Sequence, residues 1–249
     1  MVTWHTRVSA EGARSHVVRL MERQAARAAA VVLGASSDLV DQARLRGARD
    51  ARLAPVALPA PRYALDEDEL LRNKARAELG AVARPLLVTV GRLEPGQGYG
   101  PLLDAARVWR ELDPEPLLVV AGEGRERPEM QRRIEDEGLP VQLVGRRDDV
   151  PELLAAADVV ILASRWEARS WLAQEALHAG VPLVATSVGG VPDLVGGRRP
   201  SSSPMAMRPR SPMRWHACWR TPSAGPNSPR RAAARRRAGP RRTTRSPTS

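Results

Sequence analysis

Two carboxylates eight positions apart, Glu167 and Glu175, fall within the segment Ala163-Ser164-Arg165-Trp166-Glu167-Ala168-Arg169-Ser170-Trp171-Leu172-Ala173-Gln174-Glu175. Glu167 follows an apolar run and reads as a loop residue, whereas Glu175 falls inside a helix that begins at Trp171. A carboxylate beyond the end of a strand can accept hydrogen bonds from the hydroxyls of a sugar or ribose. The unpaired N–H groups of a helix start, near Ser170 and Trp171, suit a phosphate. On spacing alone the plainer reading is the favoured one: a surface loop residue and a solvated helix residue. A second segment, Val90-Gly91-Arg92-Leu93-Glu94-Pro95-Gly96-Gln97-Gly98-Tyr99-Gly100, follows another apolar run and opens another helix. Its glycines let a ligand approach the backbone, and Arg92 can grip a phosphate with two parallel N–H donors. It reads as well as an ordinary Gly-rich turn with a solvated arginine. It carries neither a GxGxxG fingerprint nor a Walker lysine. Cys218 is the single cysteine, which excludes an intrachain disulfide and a cysteine-cluster zinc site, and no His/Asp/Glu spacing suggests a metal.

The elements that position these segments follow from periodicity. From Pro85 onward, short apolar runs alternate with helical patterns. Strands are predicted over 85–91, 116–122, 141–145, 159–162 and 182–186, and helices over 100–112, 127–137, 150–157 and 171–179. That alternation implies βαβ units, right-handed crossovers and a doubly wound, Rossmann-like parallel sheet buried on both faces. Ligands bind such sheets beyond the carboxyl ends of the strands, where both segments lie. Upstream, Gly12 to Ala30 reads as a helix with Val17, Val18, Leu20 and Met21 on its inner face. A strand follows over Ala30 to Gly34. Ser36-Ser37-Asp38 then caps a helix through Leu45, closed by Gly47. Arg52 to Pro59 reads as a strand running into a Pro-rich linker, and Asp66 to Gly80 as a further helix.

Charge is unevenly placed. The 249 residues carry 39 basic and 28 acidic side chains, a net charge of +11. Such a surplus ordinarily points to nucleic acid or an anionic surface. Here residues 198–249 hold 14 arginines, nine prolines and no acid, which leaves 25 basic and 28 acidic side chains in residues 1–197. The globular part is therefore mildly acidic. The tail is expected to be disordered, because it lacks apolar periodicity. Its Trp215 and Trp219 keep open a reading in which it binds nucleic acid or an anionic membrane, although specific nucleic-acid recognition is not expected. No apolar run approaches the ~18–20 residues that span a bilayer. Met1 to His5 shows no secretory pattern. The reading is of a cytoplasmic protein, with peripheral association at the inner membrane face left open.

The pair Glu167-x7-Glu175 resembles the E-x7-E motif of retaining GT-B glycosyltransferases of the large fourth sequence family, glycosyl transferases group 1. Gly122-Glu123-Gly124, Leu143-Val144-Gly145, Asp149-Val150-Pro151-Glu152-Leu153, Glu175-Ala176-Leu177-His178-Ala179-Gly180-Val181-Pro182 and Ser187-Val188-Gly189-Gly190-Val191-Pro192-Asp193 are similar to that family too. The likeness runs over roughly residues 85–196. Shorter likenesses lie upstream, at Val2-Thr3-Trp4-His5 and at Ala35-Ser36-Ser37-Asp38-Leu39.

The resemblance implies an enzyme that moves a sugar from a nucleoside-diphosphate donor to a hydroxyl acceptor with retention, using no metal or other cofactor. By the same resemblance, Glu175 would bind the donor ribose and Glu167 would contact the transferred sugar. Arg92, Gln97, Gly122, Gly145, Ser170, Trp171 and Leu172 would line the donor site. His5 would sit across the cleft near the donor sugar or acceptor. Gln97 stands where the family usually has a lysine.

Residues 1–60 are read as the remnant of an N-terminal acceptor domain, 61–84 as linker and helix, and 85–197 as an incomplete nucleotide-sugar-binding domain. The tail from 198 is read as the product of a reading-frame change near Gly197. The chain is then expected to be truncated and impaired or inactive. Sugar-nucleotide binding without turnover remains an alternative.

Overall fold

The computed structural model describes residues 1–7, 13–58, 69–195 and 215–218. The chain opens with a small parallel sheet, β1 (Val2–Trp4), β2 (Val32–Gly34) and β3 (Ala51–Leu53), in the order β1-β2-β3. Between the strands run α1 (Ala13–Ala28) and α2 (Ser37–Leu45). Ser36 occupies the N-cap position of α2, and Gly47 adopts a positive φ just past the helix end, as the sequence predicts.

One expectation fails on α1. Val17, Leu20 and Met21 are exposed rather than inward. The buried stripe passes instead through Ala26 and Ala29, with Val18, Glu22 and Ala25 partly covered. Glu22 accepts hydrogen bonds from Arg46 Nε (2.8 Å) and Gln42 Nε2 (3.2 Å), both belonging to or bordering α2. That ion pair and the small alanines, which allow close approach, set the helix rotation against the larger apolar side chains.

Residues 59–68, on which most of the expected linker falls, lie outside the described residues. Helix α3 (Glu69–Glu78) then docks through Arg76, which donates to Asp158 Oδ2, Ala156 O and Arg84 O, each at 2.9 Å. Asp158 Oδ2 also accepts from Leu86 N (2.8 Å), so one carboxylate ties α3 to the start of the next sheet.

That sheet comprises β4 (Leu86–Val90), β5 (Leu117–Ala121), β6 (Val141–Gly145), β7 (Val159–Leu162), β8 (Leu183–Thr186) and β9 (Trp215–Cys218). Its order is β6-β5-β4-β7-β8-β9, with β4 to β8 parallel. Along β5, Leu117, Val119 and Ala121 enter one core while Leu118 and Val120 enter the other. This period of two, apolar on both sides, requires helices on both faces. Helices α4 (Tyr99–Trp109) and α5 (Arg127–Glu137) cover one face with Leu102, Leu103, Trp109 and Met130. The other is covered by α6 (Val150–Ala156), α7 (Trp171–His178) and α8 (Val191–Leu194), with α3 packed beside α6. The doubly wound α/β architecture matches the expectation from sequence.

Two further differences concern the end of the chain. The short helix α8 was not foreseen. Within the expected disordered tail, residues 215–218 form β9 and pair antiparallel with β8, from Leu183↔Cys218 to Thr186↔Trp215. The free N–H and C=O groups along the β8 edge supply the reason, since an open edge offers a ready ladder. The rest of the tail, with its expected frame change, lies outside the described residues.

Candidate active site

Strand order fixes where a ligand can enter. The chain winds outward from β4 through β5 to β6, then returns to place β7 and β8 on the other side. The loops after β4 and β7 therefore meet at the switch point of the sheet, where adjacent crossovers diverge and leave a crevice. They are in backbone contact: Arg165 N donates to Gly96 O (2.8 Å), and a Cβ on Gly98 would stand 1.9 Å from Ala163 O.

This contact brings the predicted side chains together. Ser164 Oγ lies 2.9 Å from Glu167 Oε1 and 3.2 Å from Gln97 Oε1. The hydroxyl has one proton, and the carboxylate is the stronger acceptor. A half-turn of the Gln97 amide then lets its Nε2 donate to Ser164 Oγ. Ser164 is itself held by Thr186 Oγ1, which donates to the Ser164 carbonyl at 2.6 Å. Burial pushes the Glu167 carboxyl above the usual range, while the Ser164 hydrogen bond and the nearby positive charge of Arg92 pull it back. Arg92 is exposed, so the crevice has a cation at its mouth and a half-buried carboxylate within.

Helix α7 begins at the same place. Ser170 is buried, and its Oγ accepts from Ala173 N (3.3 Å), so the hydroxyl is spent as a helix cap. The N–H groups of Trp171 and Leu172 have no backbone acceptor among the described residues. Trp171 is exposed, but the Leu172 side chain is buried in the core, so Leu172 can meet a ligand only through its amide. Glu175 is half-buried in α7. Burial raises its pKa, and His178 acts the other way.

The two predicted glycines serve the scaffold. Gly122, at φ 147°, would put a Cβ 1.8 Å from Gly91 O, and its N–H donates to Gly145 O (2.7 Å). The turns after β4, β5 and β6 are thereby stacked backbone on backbone. His5 is exposed just beyond β1 and makes no hydrogen bond among the described residues. The structure does not join it to Glu167.

Ser164, Thr186 and Trp166 were missed by sequence reasoning. Only the positions of Ser164 and Thr186 at the carboxyl ends of β7 and β8 could have marked them. Arg169 was also missed: its Nε is buried without a hydrogen-bond partner. Among the described residues no helix is long and apolar enough to cross a membrane.

A parallel doubly wound sheet with a carboxylate, an arginine and a capped helix start at its switch point defines a Rossmann-like α/β domain. Residues 72–198 match the family of glycosyl transferases group 1, and the chain belongs to that family. It is 29% identical over 187 residues to alpha-D-kanosaminyltransferase of Streptomyces kanamyceticus, a match covering 72% of this chain and 48% of the relative. It is 31% identical over 154 residues to 2-deoxystreptamine N-acetyl-D-glucosaminyltransferase of Streptomyces fradiae, covering 59% of this chain and 34% of that one. Among solved structures, Anabaena HepE in complex with UDP superposes with a TM-score of 0.67 at 25% identity, over 78% of this chain and 55% of HepE. The fold is that of GT-B glycosyltransferases. The chain spans about half the length of the curated relative alpha-D-kanosaminyltransferase.

Proposed function

We propose that this chain carries the donor-binding half of a glycosyltransferase, and that the whole protein transfers a sugar from a nucleoside diphosphate to a hydroxyl acceptor with retention of configuration. The observation that carries this reading is the meeting of Glu167, Arg92, Gln97 and Ser164 at the switch point of the sheet. In this reading Glu175 accepts hydrogen bonds from the ribose hydroxyls, and Glu167 does so from the sugar. As the bond between sugar and diphosphate breaks, negative charge collects on the departing phosphate. In this reading Arg92 and the N–H groups at the start of α7 stabilise that charge, and preorganised stabilisation of this kind is usually the largest single catalytic contribution. The acceptor enters from the side of the small sheet, where His5 follows β1. That the structurally similar HepE was solved in complex with UDP supports a nucleotide as the ligand.

Titration calorimetry with UDP tests the reading. Glu175→Gln keeps the shape of the side chain and removes its charge. It should weaken binding by about 1–3 kcal/mol, the range for a hydrogen bond to a charged group. Unchanged affinity would remove Glu175 from the nucleotide site.

A further inference from the structure

The Glu167 loop has a second support that lies outside the large sheet. The turn from β2 into α2 presents Ser36, Ser37 and Asp38 to it. Asp38 Oδ2 accepts a hydrogen bond from Trp166 Nε1 at 2.9 Å. Asp38 is fixed for this by Ser36 Oγ, which donates to Asp38 Oδ1 and leaves the N-cap of α2 without its own side-chain bond. The vacant cap is filled from the other side: Ser37 N donates to Asp193 Oδ2 at 3.1 Å, and Ser37 Oγ donates to the same oxygen. An anion from α8 thus sits at the positive end of α2, where a carboxylate is favoured.

Apolar contacts close the same joint. Ala35, Leu39 and Ala168 form a buried cluster with Trp4 and Trp166 packed against it. The backbones leave no slack. Gly190 N donates to Glu167 O (2.8 Å), and a Cβ on Gly190 would stand 1.9 Å from Ala168 O and 2.6 Å from Ser36 Cβ. Glu167 is therefore flanked by Trp166 and Ala168, both of which are gripped by the small sheet.

We propose that Asp38 and Trp166 are positioning residues for Glu167: their hydrogen bond clasps the small sheet to the loop after β7 and holds the carboxylate in the crevice. The proposal rests on the reading of that crevice as the donor-sugar site. Within it, the acceptor-side sheet sets the geometry of the donor-side carboxylate, so a sugar-binding arrangement forms only when the two parts are docked.

Hydrogen exchange on the full 249-residue chain tests the clasp without requiring turnover. Trp166→Phe keeps the ring and deletes the donor, and Asp38→Ala deletes the acceptor. Either should speed amide exchange across residues 163–170 roughly tenfold, with β4 to β6 unchanged. Asp38→Asn keeps an acceptor oxygen and should restore protection to near the parent level. If Asp38→Ala loosens the whole small sheet, Trp166→Phe still reads the clasp, because it leaves α2 intact. Unchanged exchange at 163–170 in Trp166→Phe overturns the proposal, and so does a failure of Asp38→Asn to restore what Asp38→Ala loses. Titration of UDP into Glu175→Gln separates the two readings. Unaltered UDP affinity there, with exchange responding as expected in the clasp variants, rejects the donor assignment and leaves the clasp standing.

Discussion

The two sheets are built from the same parallel unit but stabilised differently. In the large sheet, β4 to β6 are five residues long and β4 and β5 send side chains into two separate cores. In the small sheet every strand has three residues, and the core beneath it is formed by Ala29, Val32 and Ala43. Its most specific contacts are with its neighbour, through Asp38, Ser37 and the cluster around Ala35 and Leu39. The difference teaches where stability and adaptability reside: the large sheet stands on its own burial, and the small one leans on the joint that also holds Glu167.

Core truncation should break the comparison most strongly. Leu118 of β5 is fully buried in the core between the large sheet and helices α4 and α5, and Leu118→Ala should cost about 2–5 kcal/mol. Its urea midpoint should fall across every probe of the large domain. Val32→Ala removes a fully buried side chain of the small sheet and should cost less, roughly 1–2 kcal/mol for the methyl groups lost. Exchange should then quicken in β1 to β3 and leave β4 to β6 unmoved. A global loss from Val32→Ala would mean that the two sheets unfold as one.

The next effect sharpens the picture of the joint. Gly190→Ala forces a methyl group against Ala168 O and Ser36, an overpacking of about 1–3 kcal/mol. Calorimetry with UDP and thermal melting should both register it. Smaller still is Gln97→Lys, which adds a cation beside Ser164 and Glu167. Diphosphate binding should tighten at low ionic strength and lose that gain as salt rises. No gain at any salt concentration would turn position 97 away from the phosphates.

The smallest effect is a pH slope. Burial raises Glu167 above the ordinary carboxylate value, so between that value, about 4.3, and the raised one the folded chain holds a proton that the unfolded chain releases. That contribution to stability is complete below the window and is lost as pH rises through it. Glu167→Gln should flatten the slope and leave the protein slightly more stable near neutrality. Denaturant melts at several pH values measure both.

Much of the large sheet was legible because its signals are local. β5 and β7 fall where uninterrupted apolar runs place them, and α5 ends at Gly138 in the left-handed conformation that stops a helix. Glu167 and Arg92 were legible as residues beyond strand ends. Their meeting was not, since it depends on β7 returning to the side of β4 opposite β5. The α1 face was misjudged because two stripes compete on that helix, and the deciding contacts of Glu22 come from α2. Asp38 and Trp166 are 128 residues apart, and neither carries a local mark of the other. Four residues of β9 within an Arg- and Pro-rich stretch give too short a pattern to stand out.

The stacked turns at the carboxyl edge also bear on how this protein can vary. Gly98, Gly122, Gly189 and Gly190 each face a carbonyl oxygen at a distance that leaves no room for one added carbon. A saturation library should therefore show these four positions as gaps, while neighbouring Arg92, Arg165 and Trp171, whose side chains are exposed, tolerate broad replacement for folding. Diversification of what the crevice recognises is then channelled into those outward positions, upon a floor that single substitutions cannot redraw.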